Sequence, residues 1–143
     1  MTKRKASNIL NYATEVPTAK TVGEIVQLLA GKAVSSISLD YQDSKVVAIT
    51  FVIKVADSMV PFRLQPNIEK LYQRPEIRRQ GMPQAERVGW RIVLRWAEAQ
   101  IALVESNLAD MAQVFLPYAM RGEESLWQAF QTSNVKQLTD GVQ

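Results

Sequence analysis

Three arginines in the second half of the chain, Arg87, Arg91 and Arg95, are spaced four residues apart. In a helix this spacing places all three on one side, in a nearly straight stripe. Arg95 has Glu98 at helical spacing, but Arg87 and Arg91 have no acidic residue three or four positions away in either direction. Because a guanidinium presents a planar fork of donors that matches phosphate oxygens, the stripe predicts either a bound anion or ion pairs with carboxylates from another segment or another subunit.

Basic residues are concentrated around this stripe. Residues 62–95 hold eight lysines and arginines and three glutamates, a charge of +5, although the whole chain of 143 residues carries only +3. The remainder of the chain is therefore at −2. A charge cluster of this kind is commonly a solvated surface. It also suits a protein that binds a nucleic-acid backbone, which we keep as an alternative function.

The chain contains neither cysteine nor histidine. This composition excludes disulfides, thiolate or imidazole metal sites, and Ser-His-Asp or Cys-His catalytic groups. Because histidine is the commonest acid–base group of enzymes, we expect a protein that is not an enzyme, and a hydrolase is the less favoured alternative. Asp40 and Asp43 lie beside a predicted turn, which favours turn carboxylates over a metal site. We expect no metal and no cofactor, and no glycine-rich phosphate loop is present.

Hydrophobic periodicity predicts an α+β fold, in which an antiparallel β-meander packs with a long α-helix in the C-terminal half and with shorter helices. The predicted strands are 11–16, 33–41, 46–54 and 59–64, and the predicted helices are 18–31, 67–73, 83–106 and 123–132. Strand 46–54 is apolar on both faces, so it should be central, or covered on its second face by a helix or another subunit. Pro61 directs strand 59–64 to an edge.

The single domain is expected to span 1–143, with flexible tails at 1–8 and 134–143. Residues 74–82 are predicted to be a polar connection. Thr21 is predicted to cap the first helix with Glu24, and Gly31 to end it. In the last helix, Leu126, Trp127 and Phe130 have the spacing of a buried helix face.

Localisation signals are missing from the sequence. No apolar run approaches the roughly 18–20 residues that cross a bilayer, and the basic start lacks the apolar segment of a secretory signal. We therefore expect a cytosolic protein with no membrane partner.

An aromatic, a cation and an amide lie close together at the end of the third predicted strand: Phe62, Arg63 and Asn67. Such a group could hold a nucleobase and a ribose. The alternative is a core phenylalanine followed by a turn asparagine, and the residues alone leave both open.

Four segments resemble the first-described Thoeris anti-defence family of phages and prophages, over about residues 10–120. The segments are TEVPTAKTVGEIVQLLA, ITF with VPFRLQPNIEKLY, QAERVGWRIVLRWAEAQIALVES, and VFLPY. The resemblance implies a non-enzymatic protein of the host bacterial cytosol that sequesters cyclic ADP-ribose isomers made by TIR-domain proteins. It also implies a homo-oligomer, as dimers and hexamers, and for some members a separate site for cyclic oligonucleotides.

The resemblance also implies roles for individual residues. The family's pair of arginines four residues apart matches Arg87 and Arg91, which would clamp a pyrophosphate. Asn67 would bond a ribose or base edge, and Phe62 would stack on adenine. Arg63 and Arg95 complete the predicted ligand-binding set. Under this interpretation a nucleic acid is not the partner, and strand 46–54 with the apolar long helix suits a dimer interface.

Overall fold

Alternating apolar and polar side chains build a three-stranded antiparallel sheet in the first half of the chain. The computed structural model describes residues 8–133 and Thr139, so the predicted tails lie outside the described residues except for Asn8 and Thr139. The strands are β1 (Val34–Gln42), β2 (Lys45–Val55) and β3 (Ser58–Leu64), in the order β1-β2-β3. The predicted meander is confirmed, with the strand that is apolar on both faces at its centre.

Helices and short strands complete the described part of the chain. They are α1 (Thr18–Leu29), α2 (Ile68–Tyr72), α3 (Pro75–Arg78), α4 (Met82–Glu105), α5 (Met111–Phe115), a 3-10 turn (Leu116–Tyr118), β4 (Met120–Arg121), β5 (Glu124–Ser125) and α6 (Leu126–Thr132). The fold is therefore α+β, as predicted. None of the described helices is long and apolar enough to cross a membrane.

The main core lies between the sheet and helices α1 and α4. Along β2, Ile49, Phe51 and Ile53 alternate on one face and are buried. The buried side chains of this core also come from α1, β3, α4 and α5, and include Val22, Ile25, Leu29, Phe62, Leu64, Trp90, Leu94, Ile101, Met111 and Phe115. Side chains in a strand alternate between the two faces of the sheet, so Arg63 points away from the face that buries Phe62.

Helix α4 is the longest element that the structure describes, and it organises the others. Its 24 residues span about 36 Å at 1.5 Å per residue. Pro83 lies in the first turn, where proline needs no hydrogen-bond partner for a missing N–H. Four apolar residues on one side of the helix, Trp90, Leu94, Ala97 and Ile101, are buried.

A second, smaller apolar cluster corrects the prediction for residues 74–82. These residues are not a plain polar connection, because Pro75–Arg78 forms a helical turn and Ile77 is fully buried. Ile77 packs with Ala85 and Val88 of α4. A single apolar residue among basic residues forms no hydrophobic pattern, so the sequence does not indicate this helical turn. The turn is identified by the contact of Ile77 with α4.

Helix α2 approaches α4 closely at Gly89. A β-carbon at this position would lie 2.5 Å from Ile68 Cδ1 and 3.5 Å from Pro66 Cβ. The first distance is too short for a contact and the second is an ordinary one, so a side chain at Gly89 would require the end of the Ile68 side chain to move.

The predicted strand at 11–16 is wrong. Residues 8–13 form bends and turns, with the Thr14 N–H donating to the carbonyl of Asn11 at 3.0 Å. Asn11 has a φ of 61°, a left-handed conformation that asparagine tolerates and that lies outside the β region of a regular strand. The Tyr12 and Thr14 carbonyls accept hydrogen bonds from α4 instead of from a neighbouring strand.

The burial predicted for the last helix is also wrong. Leu126, Trp127 and Phe130 lie on α6 as predicted, but they are 37%, 53% and 37% exposed. Periodicity identifies the apolar face of a helix, but it does not say what covers that face.

Gly31 ends α1 as predicted, with a φ of 81° just beyond the C-cap Ala30. Open space surrounds the position where a β-carbon would lie, so Gly31→Ala is expected to introduce only backbone strain. The free energy of unfolding should fall by about 1 kcal/mol, measured by urea denaturation. Gly23→Ala, also in open space but inside α1, is the matched control and should raise stability by up to about 1 kcal/mol. Equal effects at both positions would contradict a left-handed cap at Gly31.

Candidate functional site

Arg91 lies in the contact between α1 and α4. Its guanidinium Nη1 donates to Glu24 Oε2 at 3.2 Å and to Thr21 Oγ1 at 3.4 Å. Thr21 and Glu24 are three residues apart, so they lie on the same side of α1. The residue is only 8% exposed, whereas the Glu24 side chain is 39% exposed. The carboxylate that Arg91 lacks on its own helix therefore comes from another segment, one of the two possibilities that the sequence left open.

Thr21 is not the helix cap that the sequence predicts. Helix α1 begins at Thr18, three residues earlier, with Pro17 at the N-cap position. The Thr21 hydroxyl instead donates to the Pro17 carbonyl at 3.4 Å and accepts from Arg91. Thr21 is fully buried. Its side chain positions the Arg91 guanidinium and does not cap the helix.

The Arg91 guanidinium is not fully satisfied. Its Nε is buried and has no hydrogen-bond partner among the described residues. Leaving a buried donor unpaired costs about 1–3 kcal/mol, and more for a charged group. The other buried side-chain atom without a partner in the described part of the chain is Asn11 Oδ1, one residue from the Tyr12 carbonyl that contacts α4.

Arg87 is half-buried one turn before Arg91 and is held by an amide rather than a carboxylate. Its Nε donates to Gln84 Oε1 at 2.7 Å. Gln84 is itself only 5% exposed, and its Nε2 donates to the carbonyls of Tyr12 and Thr14 at 3.1 and 2.9 Å. Within residues 8–133, no carboxylate lies within 4.0 Å of the Arg87 guanidinium.

We call this group the arginine cluster: Arg87, Arg91, Gln84, Thr21 and Glu24. It holds two guanidinium groups and one carboxylate, a net charge of +1, in a setting where Arg91 is largely shielded from water. Electrostatic attraction is stronger where water is excluded, so the cluster is suited to a small anion that can reach its partly open side at Glu24.

Arg95 continues the stripe in sequence but lies outside the arginine cluster. It forms an ion pair with Glu98 at 2.9 Å, and both side chains are more than two-fifths exposed. Exposed pairs of this kind contribute little to stability, typically below 1 kcal/mol. Of the three arginines in the stripe, Arg87 and Arg91 are therefore bonded to side chains of the arginine cluster, and Arg95 lies at the surface.

The structure places Phe62 in the core rather than at a ligand site. It is 1% exposed, and its ring stacks on Phe51 with centroids 5.4 Å apart. A ring so placed has no free face for a nucleobase, so the predicted stacking role does not fit this structure. The alternative of a core phenylalanine does.

Arg63, next in sequence, lies on the opposite face of the sheet. It forms an ion pair with Asp40 and donates through Nε to Gln65 Oε1 at 3.2 Å. Thr50 Oγ1 also donates to Asp40, at 3.3 Å. Asp40 is thus the partner of a predicted ligand residue, and Arg63 is not part of the arginine cluster.

Asn67 caps α2, with its Oδ1 accepting from the Lys70 N–H at 3.1 Å. It lines a separate cleft of about 710 Å³ that Lys45 and Glu86 bridge with a 3.0 Å ion pair. Helix α2 packs on the Gly89 side of α4, and two residues of helix rotate the chain by about 200° between Gly89 and Arg91. The structure therefore does not bring Asn67 or Phe62 together with Arg87 and Arg91.

The eight bases of the 62–95 segment do not form one surface. Lys70, Arg74, Arg78 and Arg79 are exposed on and beside α2 and α3. Arg74 hydrogen-bonds Glu76 at 2.8 Å, and this bond lowers the pKa of the Glu76 carboxyl. Arg78 and Arg79 donate to backbone carbonyls. Arg63 and Arg91 face other parts of the fold, so the basic character is split among several places.

Sequence reasoning missed Gln84 and Glu24 as members of the site. Glu24 and Arg91 are 67 residues apart, and no local period connects them. One indication of these partners was present in the sequence. Two arginines without acidic neighbours on their own helix need partners from another segment.

No protein-family model matches the chain, and no similar curated protein or solved structure was found.

Proposed function

We propose that this protein is a phage or prophage anti-defence protein that sequesters a cyclic ADP-ribose-type nucleotide without cleaving it, thereby blocking TIR-based bacterial immunity in the host cytosol. The observation that carries the proposal is the buried Arg91 Nε, which has no hydrogen-bond partner within residues 8–133, next to an Arg87 with no carboxylate within 4.0 Å in the same range. The resemblance of the sequence to the Thoeris anti-defence family supplies the ligand class and the expectation of a homo-oligomer.

The spacing of the two arginines supports a pyrophosphate as the group that they hold. Four residues of helix rise about 6 Å, a separation at which two guanidinium groups can each contact one of two linked phosphates. Charge-assisted, bidentate contacts of this type are the strongest that an arginine makes. A protein that only has to retain its ligand needs tight binding and slow release, and no transition state has to be favoured.

Capture and release of intact nucleotide is the expected result. The protein is incubated with the product of a TIR-domain enzyme, freed of unbound ligand, and heat-denatured. Chromatography of the supernatant should recover the unchanged nucleotide at a fixed stoichiometry. Arg79→Ala, at an exposed arginine whose Nε donates to the Pro75 carbonyl and which is not part of the arginine cluster, is the control and should capture as much as the unmodified chain. Absence of retained nucleotide, or recovery of a converted product, would overturn the proposal.

A second candidate function, binding of a nucleic-acid backbone, is supported by Lys70, Arg78 and Arg79. All three are exposed, and none has a carboxylate within 4.0 Å in the described part of the chain. This function requires an affinity that rises with polymer length and falls steeply with salt. The same Arg79→Ala variant would then lose affinity, whereas a variant at Arg91 would not.

A further inference from the structure

The Gln84 side chain joins α4 to the N-terminal segment, residues 8–16. Its Nε2 donates to the carbonyls of Tyr12 and Thr14, and its Oε1 accepts from Arg87 Nε at 2.7 Å. Because carbonyl oxygens only accept and an arginine nitrogen only donates, the amide satisfies all three partners in one orientation alone. The residue is 5% exposed, so water is largely kept from these bonds.

The bond to Gln84 determines which edge of the Arg87 guanidinium remains available. A guanidinium has one N–H on Nε and two on each terminal nitrogen, and all of them can only donate. The Nε hydrogen is used by Gln84, and the terminal nitrogens form no hydrogen bond with the residues that the structure describes. The free edge therefore carries the two terminal nitrogens, which can bind two oxygens of one phosphate at the same time.

An amide holds an arginine in place without cancelling its charge. Arg91, one turn further along α4, is bonded to the carboxylate of Glu24, whereas Arg87 is bonded to a neutral acceptor. A side chain that is already immobilised also loses less conformational entropy when a ligand binds. Gln84 therefore prepares Arg87 for an anion in two ways, by fixing the guanidinium and by leaving its positive charge uncompensated.

We propose that Gln84 is a positioning residue for anion binding, which fixes Arg87 against the N-terminal segment so that its terminal nitrogens face a phosphate of the ligand. The inference rests on the proposed function for the identity of that ligand. It adds to the proposed function the residue that sets the geometry of Arg87, and it gives residues 12–14 of the N-terminal segment a part in the site.

The positioning of Arg87 can be measured without any nucleotide. Exchange of the Arg87 Nε hydrogen with water is followed by nuclear magnetic resonance on the full chain with isotopically labelled arginine. The hydrogen should exchange slowly in the unmodified chain, and Gln84→Met should speed its exchange by about tenfold or more, because the acceptor is lost. Exchange at the same rate in both proteins would overturn the proposal.

Gln80→Met is the matched control for loss of contact with the N-terminal segment. Gln80 also donates to the Tyr12 carbonyl, at 3.1 Å, and it has no hydrogen bond to Arg87. The control variant should leave the exchange of the Arg87 Nε hydrogen unchanged. Circular dichroism checks that each variant is folded.

A double-mutant cycle tests whether Gln84 acts through Arg87. Calorimetric titration with the purified product of a TIR-domain enzyme should show an affinity about tenfold lower for Gln84→Met, the scale of immobilising one flexible side chain on binding, and an unchanged affinity for Gln80→Met. In an Arg87→Met background, Gln84→Met should lower the affinity by less than about twofold. The titrations extend to millimolar nucleotide, so that a complex roughly 100-fold weaker is still measured. Equal losses in the two backgrounds would mean that Gln84 does not act through Arg87, and would overturn the proposal.

Gln84→Glu tests the role of the neutral amide and also serves where Gln84→Met fails to fold. Glutamate has nearly the same shape and keeps an acceptor for Arg87 Nε, but its carboxylate cancels the charge of the guanidinium. The affinity for nucleotide should therefore fall by about tenfold or more. An affinity equal to that of the unmodified chain would overturn the proposal.

Failure of this inference and failure of the proposed function give different results. An unmodified chain that binds no nucleotide overturns the proposed function, although slow exchange that depends on Gln84 would still support the fixed position of Arg87. A chain that binds nucleotide with full affinity after Gln84→Met overturns this inference and leaves the proposed function intact.

Discussion

Replacing Phe62 with alanine is expected to lower the free energy of unfolding by about 3–5 kcal/mol. The side chain is 1% exposed, stacks on Phe51, and belongs to the core cluster between the sheet and α4. Truncation removes the buried ring and leaves a cavity beside Phe51, the residue opposite Phe62 on β2. Chemical denaturation monitored by circular dichroism measures the loss directly.

Phe62→Leu separates the core role from the ligand-stacking role that the family resemblance implies. Leucine refills much of the space, so we expect a loss of stability of about 1–2 kcal/mol and a folded protein. If the ring serves only the core, this variant captures nucleotide as tightly as the unmodified chain. A folded Phe62→Leu protein with strongly reduced capture would show that the ring contacts ligand, contrary to its position in this fold. Phe51→Leu, at the ring on which Phe62 stacks, is the matched control for damage to the core alone.

The contrast between Phe62 and Arg63 shows how far the sequence could predict this region. Period-two alternation predicted the strand, and its Pro61 predicted an edge position; both follow from local chemistry. Which face of the strand meets the core depends on the pairing with β2, where Phe62 lies opposite Phe51. The family resemblance assigned Phe62 to the ligand, and the pairing assigns it to the core.

Several elements with a period of their own were predicted within one or two residues, whereas the helix predicted at 123–132 begins three residues later, at Leu126. The predicted strand 46–54 is observed as Lys45–Val55, and the predicted helix 83–106 as Met82–Glu105. The failures share a different cause. Residues 11–16 are held by Gln84, about 70 residues away, and residues 74–82 fold around one buried side chain, Ile77. Contacts of this range leave no local pattern in a single sequence.

The same limit applies to the arginine cluster. Spacing alone identified Arg87 and Arg91 as arginines that need partners from elsewhere, and the structure supplies Glu24 for one and Gln84 for the other. Arg95 has the same spacing but an acidic neighbour on its own helix, and it remains a surface residue. The absence of a local counterion was therefore more informative than the stripe itself.

Glu24 occupies part of the position that a bound anion would take, because it already contacts Arg91 at 3.2 Å. An incoming phosphate has to compete with this carboxylate for the guanidinium. Glu24 can move away at modest cost, since its side chain is 39% exposed, whereas Arg91 is held in place by the packing of α1 on α4. We therefore expect a substitution of Glu24 and a substitution of Arg91 to change the affinity for nucleotide in opposite directions.

Glu24→Gln is expected to raise the affinity for nucleotide about tenfold, because a repelling charge is removed from the site. The same change should lower the free energy of unfolding by about 1–3 kcal/mol, since the buried Arg91 loses its only carboxylate partner among the described residues. Isothermal titration calorimetry and denaturation measure the two effects on one protein. A variant that loses stability with no gain in affinity would mean that the pair is purely structural.

Arg91→Met is expected to lower the affinity for nucleotide and to leave the free energy of unfolding nearly unchanged. Methionine fills a similar volume, and the Glu24 carboxylate left behind can be hydrated, so stability should change by less than about 1 kcal/mol. Nucleotide affinity should fall about 100-fold, the equivalent of one or two lost charge-assisted hydrogen bonds. Arg95→Met makes the same substitution one turn further along α4 and should change neither quantity appreciably, because its ion pair with Glu98 is exposed. Equal losses of affinity at both positions would mean that the ligand follows the whole arginine stripe, and the held pair at Arg87 and Arg91 would then have no special role.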